Sequence, residues 1–462
     1  MTNYFAHLDV DRLLADYPVG AEFVATFSRL SRDELRARQE RRFANVMARA
    51  WKIPFYQRLW RAVGLEPGDI RSLDDIAKLP VYDKADIMAS IEAHPPFGDF
   101  AGWRLDGGPS QPPVIFHTTS GTTGKPQTLL FGPKGREVGN LLVARMYQWQ
   151  GLAPGDVVHS VYGHGTINGG HYIREAVTHF TDALFVPAGT GAETRSTRQV
   201  ELMRDFGANV LVGFVDYLRK LADTAREMGL TPGEDIEIRM ISGHLGMEDR
   251  SLVETAWGGA TAFDWYGVAD TGSIAGEGPD RDGLYVWEDA HFLELLDIED
   301  GVAVTPGHKG DMVCTCLYKD DIFPVIRFNT HDVSAVRTGT NATGMVFERI
   351  EGFLGRSDNM VKLRGINIFP HAVGQILDDE DAFNGAFVCF IDRDRNGRDE
   401  MTVMAETKGQ ASEALHDRYR EKLKRGLGVG VLVTLVPEGA TAVHTEIDRR
   451  QKPVRLIDRR SR

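Results

Sequence analysis

The stretch HTTSGTTGKP, His117–Pro126, sets four threonines, a serine and two glycines ahead of a single lysine. Bare glycines let backbone N–H groups approach an anion, and the hydroxyls add donors around them. Lys125 supplies positive charge. The pattern is not the G-x-x-x-x-G-K-[ST] loop of nucleotide triphosphatases, because Thr119 stands five before Gly124 and Pro126 follows the lysine. A plain turn would account for the glycines but not for the hydroxyls packed about them. The stretch reads as a phosphate-contacting loop.

Outward from it, short apolar runs alternate with helical periodicity. VVHSVY (157–162), ALFVP (183–187), ANVLVGF (208–214) and IEIRMIS (236–242) are strand-like. Between them, Val138, Leu141, Leu142, Met146 and Trp149 form one apolar stripe, and VDYLRKLADTAREMG (215–229) another helix. This alternation implies a layered α/β fold with a largely parallel sheet. Residues 284–350 change texture to strand and turn, which suggests an antiparallel or barrel-like subdomain. Residues 1–100 are rich in charged helix formers, with SRDELRARQERRFANVMARAWK the strongest amphipathic stretch. After FLGRSDNMVKLRGINIFP (353–370) the pattern is helix 371–379, strand 385–391, strand 401–406, helix 412–426 and strand 430–436. That is enough for a small α+β domain. A large domain over 1–355 and a small one over 356–462 are expected, with a hinge around Gly355–Asp358.

The chain has 462 residues and a formal charge of −13, which disfavours nucleic acid as a partner. The longest apolar runs are about strand length, so no membrane-spanning helix is expected. The start MTNYFAHLDVDRLLADYP lacks a secretory pattern, and a reducing cytoplasm is the expected compartment. Three cysteines occur, Cys314, Cys316 and Cys389. Cys314 and Cys316 make half of a metal site, and His291 is near enough in sequence to contribute. A closed zinc site needs four ligands, usually in two pairs, and no second cysteine pair exists. Alternation in MVCTCLY instead sets both thiols on one face of a strand.

Five motifs fall in one order: TTSGTTGKP, DWYGVAD (264–270), VIRFNTHD (325–332), GRSDNMVKLRGINIFP (355–370) and RRQKPVRLIDRR near the end. That order resembles the adenylate-forming superfamily. WKIPFYQR (51–58), LPVYDKADI (79–87), YVWEDAHFLE (285–294) and FPVIRF (323–328) are similar to phenylacetate–CoA ligases in particular. The resemblance spans roughly residues 50–460.

The resemblance implies a large multi-subdomain adenylation domain with a small mobile C-terminal cap. The implied reaction joins a carboxylate to the α-phosphate of ATP, expels pyrophosphate and lets the CoA thiol attack the acyl-adenylate. Ser120, Gly121, Thr122, Thr123, Gly124 and Lys125 match the loop that grips the leaving phosphates. Tyr266 and Gly267 match the pair beside adenine. Asp270 stands where the family has a glutamate ligand for Mg2+, one methylene shorter. Asp332 matches the aspartate that accepts the ribose hydroxyls, with a turn-capping role as the plain alternative. Arg356 matches a ribose or phosphate contact, Asp358 the pivot of the cap, and Lys452 the late catalytic lysine.

The substrate pocket would be lined by Tyr162, His164, Ile167, Gly243 and His244. SGHLG (242–246) replaces the usual Gly-Ala-Glu-Pro, and His164 stands where an aromatic residue is common. With Asn168, these histidines suggest a hydroxylated, amino or heterocyclic aromatic acid; packing behind the pocket wall is the alternative reading of both. Other expectations share the fold: transfer to a carrier-protein thiol or an amine, a deazaflavin-type adenylyltransferase, or a degenerate nucleotide-binding regulator. A homodimer is the family's common habit.

Overall fold

A computed structural model describes residues 3–103, 112–119, 126–358, 361–363, 366–393, 398–447 and 453–460. The first hundred residues form the helices Val10–Asp16, Gly20–Phe27, Arg32–Ala50, Pro54–Arg61 and Lys84–Ala93. Arg32–Ala50 begins with a capping box in which the Ser31 hydroxyl and the Glu34 carboxylate each serve the other's backbone N–H. It buries Leu35, Phe43, Val46, Met47 and Ala50 at helical spacing.

Then come β1 (Ile115–Thr118), β2 (Thr128–Phe131), helix Pro133–Trp149, β3 (Val157–Ser160), helix Asn168–Phe180 and β4 (Leu184–Pro187). β5 (Val210–Phe214), helix Val215–Glu227 and β6 (Met240–His244) continue the alternation. β7 (Thr261–Val268), β8 (Gly272–Glu277), β9 (Leu284–Val286), β10 (His291–Leu296), β11 (Lys309–Cys316), β12 (Phe328–Arg337) and β13 (Arg349–Ile350) follow with almost no helix between them. The C-terminal part holds β14 (Val361–Leu363), β15 (Ile366–Ile368), helix Ala372–Leu377, β16 (Phe383–Arg393) and β17 (Asp399–Thr407). Helix Glu413–Leu427, β18 (Leu432–Pro437), helix Ala442–Thr445 and β19 (Leu456–Asp458) complete it. The run expected at 236–242 shows alternating burial from Ile236, but its ladder with β5 begins only at Met240.

The chain divides into two compact units, Met1–Pro187 with Phe263–Gly352, and Ala188–Ala262 with Phe353–Arg462. In the first, β10, β11, β12, β13, β9, β8 and β7 lie side by side in that order. Each pairs antiparallel with its neighbour, so the antiparallel form of the expected 284–350 subdomain is the one adopted. β3 and β4 pair in parallel. Helix Pro133–Trp149 is buried almost all round and carries Arg145, which pairs with Asp289 at 3.0 Å with both side chains sealed from solvent. Phe23 and Trp287 flank that guanidinium. A buried pair of this kind costs much more to break than it gains in forming.

In the second unit, β5 and β6 pair in parallel, with the crossover helix Val215–Glu227 between them. The C-terminal strands run in the order β18, β17, β16, β19. Val373, Leu377, Phe387, Val403, Tyr419 and Leu423 form their core against two helices. Arg455 ties this part to the rest of its unit. One guanidinium nitrogen reaches Asp216 at 3.1 Å and Glu248 at 2.9 Å, while another reaches the Phe387 carbonyl at 3.0 Å. Among the described residues, no helix is long and apolar enough to cross a membrane.

Candidate active site

β1 and β2 pair antiparallel with Thr118 opposite Thr128, so the threonine–glycine stretch connects two arms of one hairpin. Its base is closed by Thr119 and Gln127. The Thr119 N–H donates to the Gln127 carbonyl at 3.0 Å, and the Gln127 N–H donates to Thr119 Oγ1 at 3.1 Å. Thr118 donates from its backbone to the Thr166 carbonyl at 2.8 Å. Ile167 bridges to Thr118, which sets the proposed pocket-lining stretch beside the stem of the loop. Ser120, Gly121, Thr122, Thr123, Gly124 and Lys125 lie outside the described residues, as does Lys452.

Gln127 also faces the acidic turn. Its side-chain Nε2 donates to Asp270 Oδ1 at 2.5 Å, and both residues are buried. Asp270 sits between β7 and β8, where the Thr271 N–H returns to the Val268 carbonyl at 3.2 Å. The tightness of this turn requires Gly267, because a Cβ there would stand 2.3 Å from the Gly272 carbonyl oxygen. Burial pushes the Asp270 carboxyl above its ordinary value, and Lys319 and Gln127 oppose that push. Lys319 is itself buried, which lowers its pKa, and its Nζ bonds the Asp270 carbonyl. Neither Gln127 nor Lys319 was singled out from sequence. The only sequence signal for them was proximity, one just past GKP and the other just past MVCTCLY.

Asp332 lies within β12 rather than capping a turn. β11 and β12 lose register between Asp311 and Val313, whose partners are Val333 and Asn329. The extra residues of β12 bulge there, and His331 takes a φ of 56°. Bulges of this kind re-aim side chains beside sites. The bulge is fastened by His331 Nε2 against Asp83 Oδ2 at 2.8 Å and by Thr330 Oγ1 donating to the Met312 carbonyl at 2.9 Å. Asp332 Oδ2 then accepts from the Tyr266 hydroxyl at 2.8 Å. Burial, followed by the Asp332 charge, pushes that phenol far above its usual range.

Tyr162 is buried, and His164 joins a cluster of imidazoles. Its ring lies 5.5 Å from that of His171, which lies 4.9 Å from His117. His171 Nε2 is held by the carbonyls of His164 and Gly165 at 2.7 and 2.8 Å. Burial pushes His117 down to about 4, so this ring is neutral at physiological pH. Asn168, expected to add polarity to the pocket, is buried and its side-chain oxygen accepts from Arg136, which is also paired with Glu175.

The remaining candidates belong to the second unit. Gly243 and His244 close β6. A Cβ on Gly243 would stand 2.0 Å from the Gly213 carbonyl oxygen, and the His244 ring stacks on Phe214 at 5.0 Å. Arg356 and Asp358 are joined to each other, Nε to Oδ1 at 2.7 Å.

The AMP-binding enzyme C-terminal domain family matches residues 365–460. The chain is 30% identical over 446 residues to the phenylacetate-coenzyme A ligase of Thermus thermophilus, covering 89% of this chain and 94% of that one. It is 31% identical over 378 residues to the Pseudomonas putida enzyme of the same name, covering 78% and 77%. The crystal structure of 2-hydroxyisobutyryl-CoA ligase in the postadenylation state, in complex with R3-HIB-AMP, matches with a TM-score of 0.80 at 26% identity. That match covers 97% of this chain and 92% of the other.

Proposed function

The chain belongs to the phenylacetate-coenzyme A ligase family and is an AMP-forming acid–CoA ligase, and from that premise we propose that it adenylates an aromatic or arylacetic acid with release of pyrophosphate. One observation carries the assignment of roles. The Gln127–Asp270 hydrogen bond links the stem of the threonine–glycine loop to the acidic turn. This supports a reading in which the loop grips phosphate and Asp270 would bind the metal beside its stem.

In this reading Ser120, Thr122, Thr123 and Lys125 grip the leaving phosphates, and Gly121 and Gly124 let the backbone close on them. Asp270 would hold magnesium, which would neutralise phosphate charge. A single carboxylate with one oxygen oriented by Gln127 suits an ion that keeps most of its coordination for phosphate and water. Asp332, held by Tyr266, accepts the ribose hydroxyls, and the Tyr266 ring faces adenine. Arg356 and Asp358 lie at the pivot of the C-terminal cap. Arg356, paired with Asp358 through Nε, contributes a ribose or phosphate contact. Lys452 neutralises charge on the reacting carboxylate and α-phosphate.

The imidazoles of His117, His164 and His171 support an acid that carries a hydrogen-bonding substituent on or near its ring. A panel of phenylacetate, its hydroxylated, amino and heterocyclic analogues, and 2-hydroxyisobutyrate, scored by pyrophosphate release and by thioester formation with CoA, tests this. A polar aromatic acid should give the highest kcat/KM. Phenylacetate outrunning every polar analogue overturns the polar-ring assignment. Adenylation without thioester would place the acyl acceptor elsewhere, on a carrier protein or an amine.

A further inference from the structure

We propose that His291, Cys314 and Cys316 form a buried site for one thiophilic divalent cation of the zinc class. Nothing in the adenylation chemistry above uses these three side chains. They are brought together by strand geometry. Cys314 and Cys316 are two apart on β11 and so share a face, and His291 on β10 stands directly opposite Cys316 in the antiparallel register. All three are fully sealed from solvent. A ring nitrogen of His291 and the two Sγ atoms lie within 4.8 Å of one another. Ligands around a tetrahedral zinc ion are about 3.3–3.8 Å apart, so side-chain adjustment alone closes the site.

The surroundings favour an ion over plain packing. His291 Nε2 lies 3.2 Å from the Thr271 carbonyl oxygen. A carbonyl only accepts, so Nε2 carries the proton and Nδ1 keeps its lone pair. Nδ1 is buried with no hydrogen-bond partner among the described residues. Ligating histidines commonly donate their other N–H to a backbone carbonyl in this way. The same Thr271 oxygen lies 3.8 Å from Cys316 Sγ and holds both the imidazole and that sulfur in place from outside the ligand set. A cross-strand histidine joins the two thiols in place of a second cysteine pair, giving three protein ligands and leaving the fourth position to an exogenous ligand such as water. Two thiolates cancel the charge of a divalent ion, so the occupied site is neutral where burial would penalise a net charge. Thr271 directly follows Asp270, and a metal here fixes the turn that carries that carboxylate.

The test is elemental analysis of the purified full-length chain, followed by chelator stripping and titration with Co2+. The expected result is about one zinc per chain, and in the cobalt form a thiolate-to-metal charge-transfer absorption with tetrahedral d–d bands. Cys314→Ser and Cys316→Ser should each abolish that absorption, and Cys389→Ser, in the other unit, should leave it intact. The unaltered chain decides the matter even where a variant fails to fold. No bound metal together with no charge-transfer band on cobalt addition overturns the site, as does an unchanged band in both serine variants.

Discussion

The Tyr266 hydroxyl donates to Asp332 Oδ2 at 2.8 Å, joining two residues 66 apart in the chain. The bond lies in a buried setting, where a hydrogen bond to a charged group contributes about 1.5–3 kcal/mol. It fixes one oxygen of the carboxylate that, in the proposed role, accepts the ribose hydroxyls. Asp332→Asn should lower kcat/KM for ATP about 10–100-fold, and Tyr266→Phe about 10-fold with most of the change in KM. Steady-state kinetics at saturating acid and CoA read both. An unchanged KM for ATP in Asp332→Asn would remove the residue from nucleotide binding.

Gly267 is fixed by space rather than by conformation. Its Cβ position lies 2.3 Å from the Gly272 carbonyl oxygen. Gly267→Ala should therefore cost roughly 1–3 kcal/mol, lowering Tm by several degrees, and should displace Asp270. Calorimetry alongside activity checks this. A variant with native Tm and native turnover would show that the turn relaxes freely.

Much of this architecture could be read from the chain itself. The helix spacing in 32–50, the apolar run in 208–214 and the C-terminal helix–strand order are all legible locally, and the structure contains them. What escaped detection depends on distant partners. Gln127 looks like any polar residue after a proline, and only the fold brings it to Asp270. Lys319 reads as a surface lysine, yet it is buried against the same turn. The bulge that sets Asp332 arises from a mismatch between two strands, which no single strand's pattern reveals. Asn168 misled for the same reason, because Arg136 reaches it from another helix.

Gln127→Leu removes the donor to Asp270 at nearly constant volume. It should reduce kcat about 10-fold or more and raise the magnesium concentration needed for half-maximal rate, with a smaller effect on the KM for the acid. Magnesium titration of the rate makes the distinction. An unaltered magnesium requirement would separate Gln127 and Asp270 from the metal step.

Glu248 is pushed up to about 8 from its ordinary 4.5 by burial and then by Asp216, despite Arg455 beside it. Between those values the native state holds a proton that the unfolded state releases, so stability falls as pH rises through this window. Glu248→Gln should flatten that fall and, on the order of 1 kcal/mol, raise Tm by about 2–4 °C above the unaltered chain near pH 8.5. Thermal melts across pH 5–9 read it. A slope unchanged by the substitution would assign the pH dependence to other groups.

Carboxylate activation itself is tested most directly by acid-dependent exchange of labelled pyrophosphate into ATP, measured for the unaltered chain and for Lys452→Ala. Robust exchange with an aromatic acid in the former, and a loss of at least about 100-fold in the latter, is the expected result. Exchange that persists undiminished without Lys452, or that no acid elicits from the unaltered chain, would contradict it.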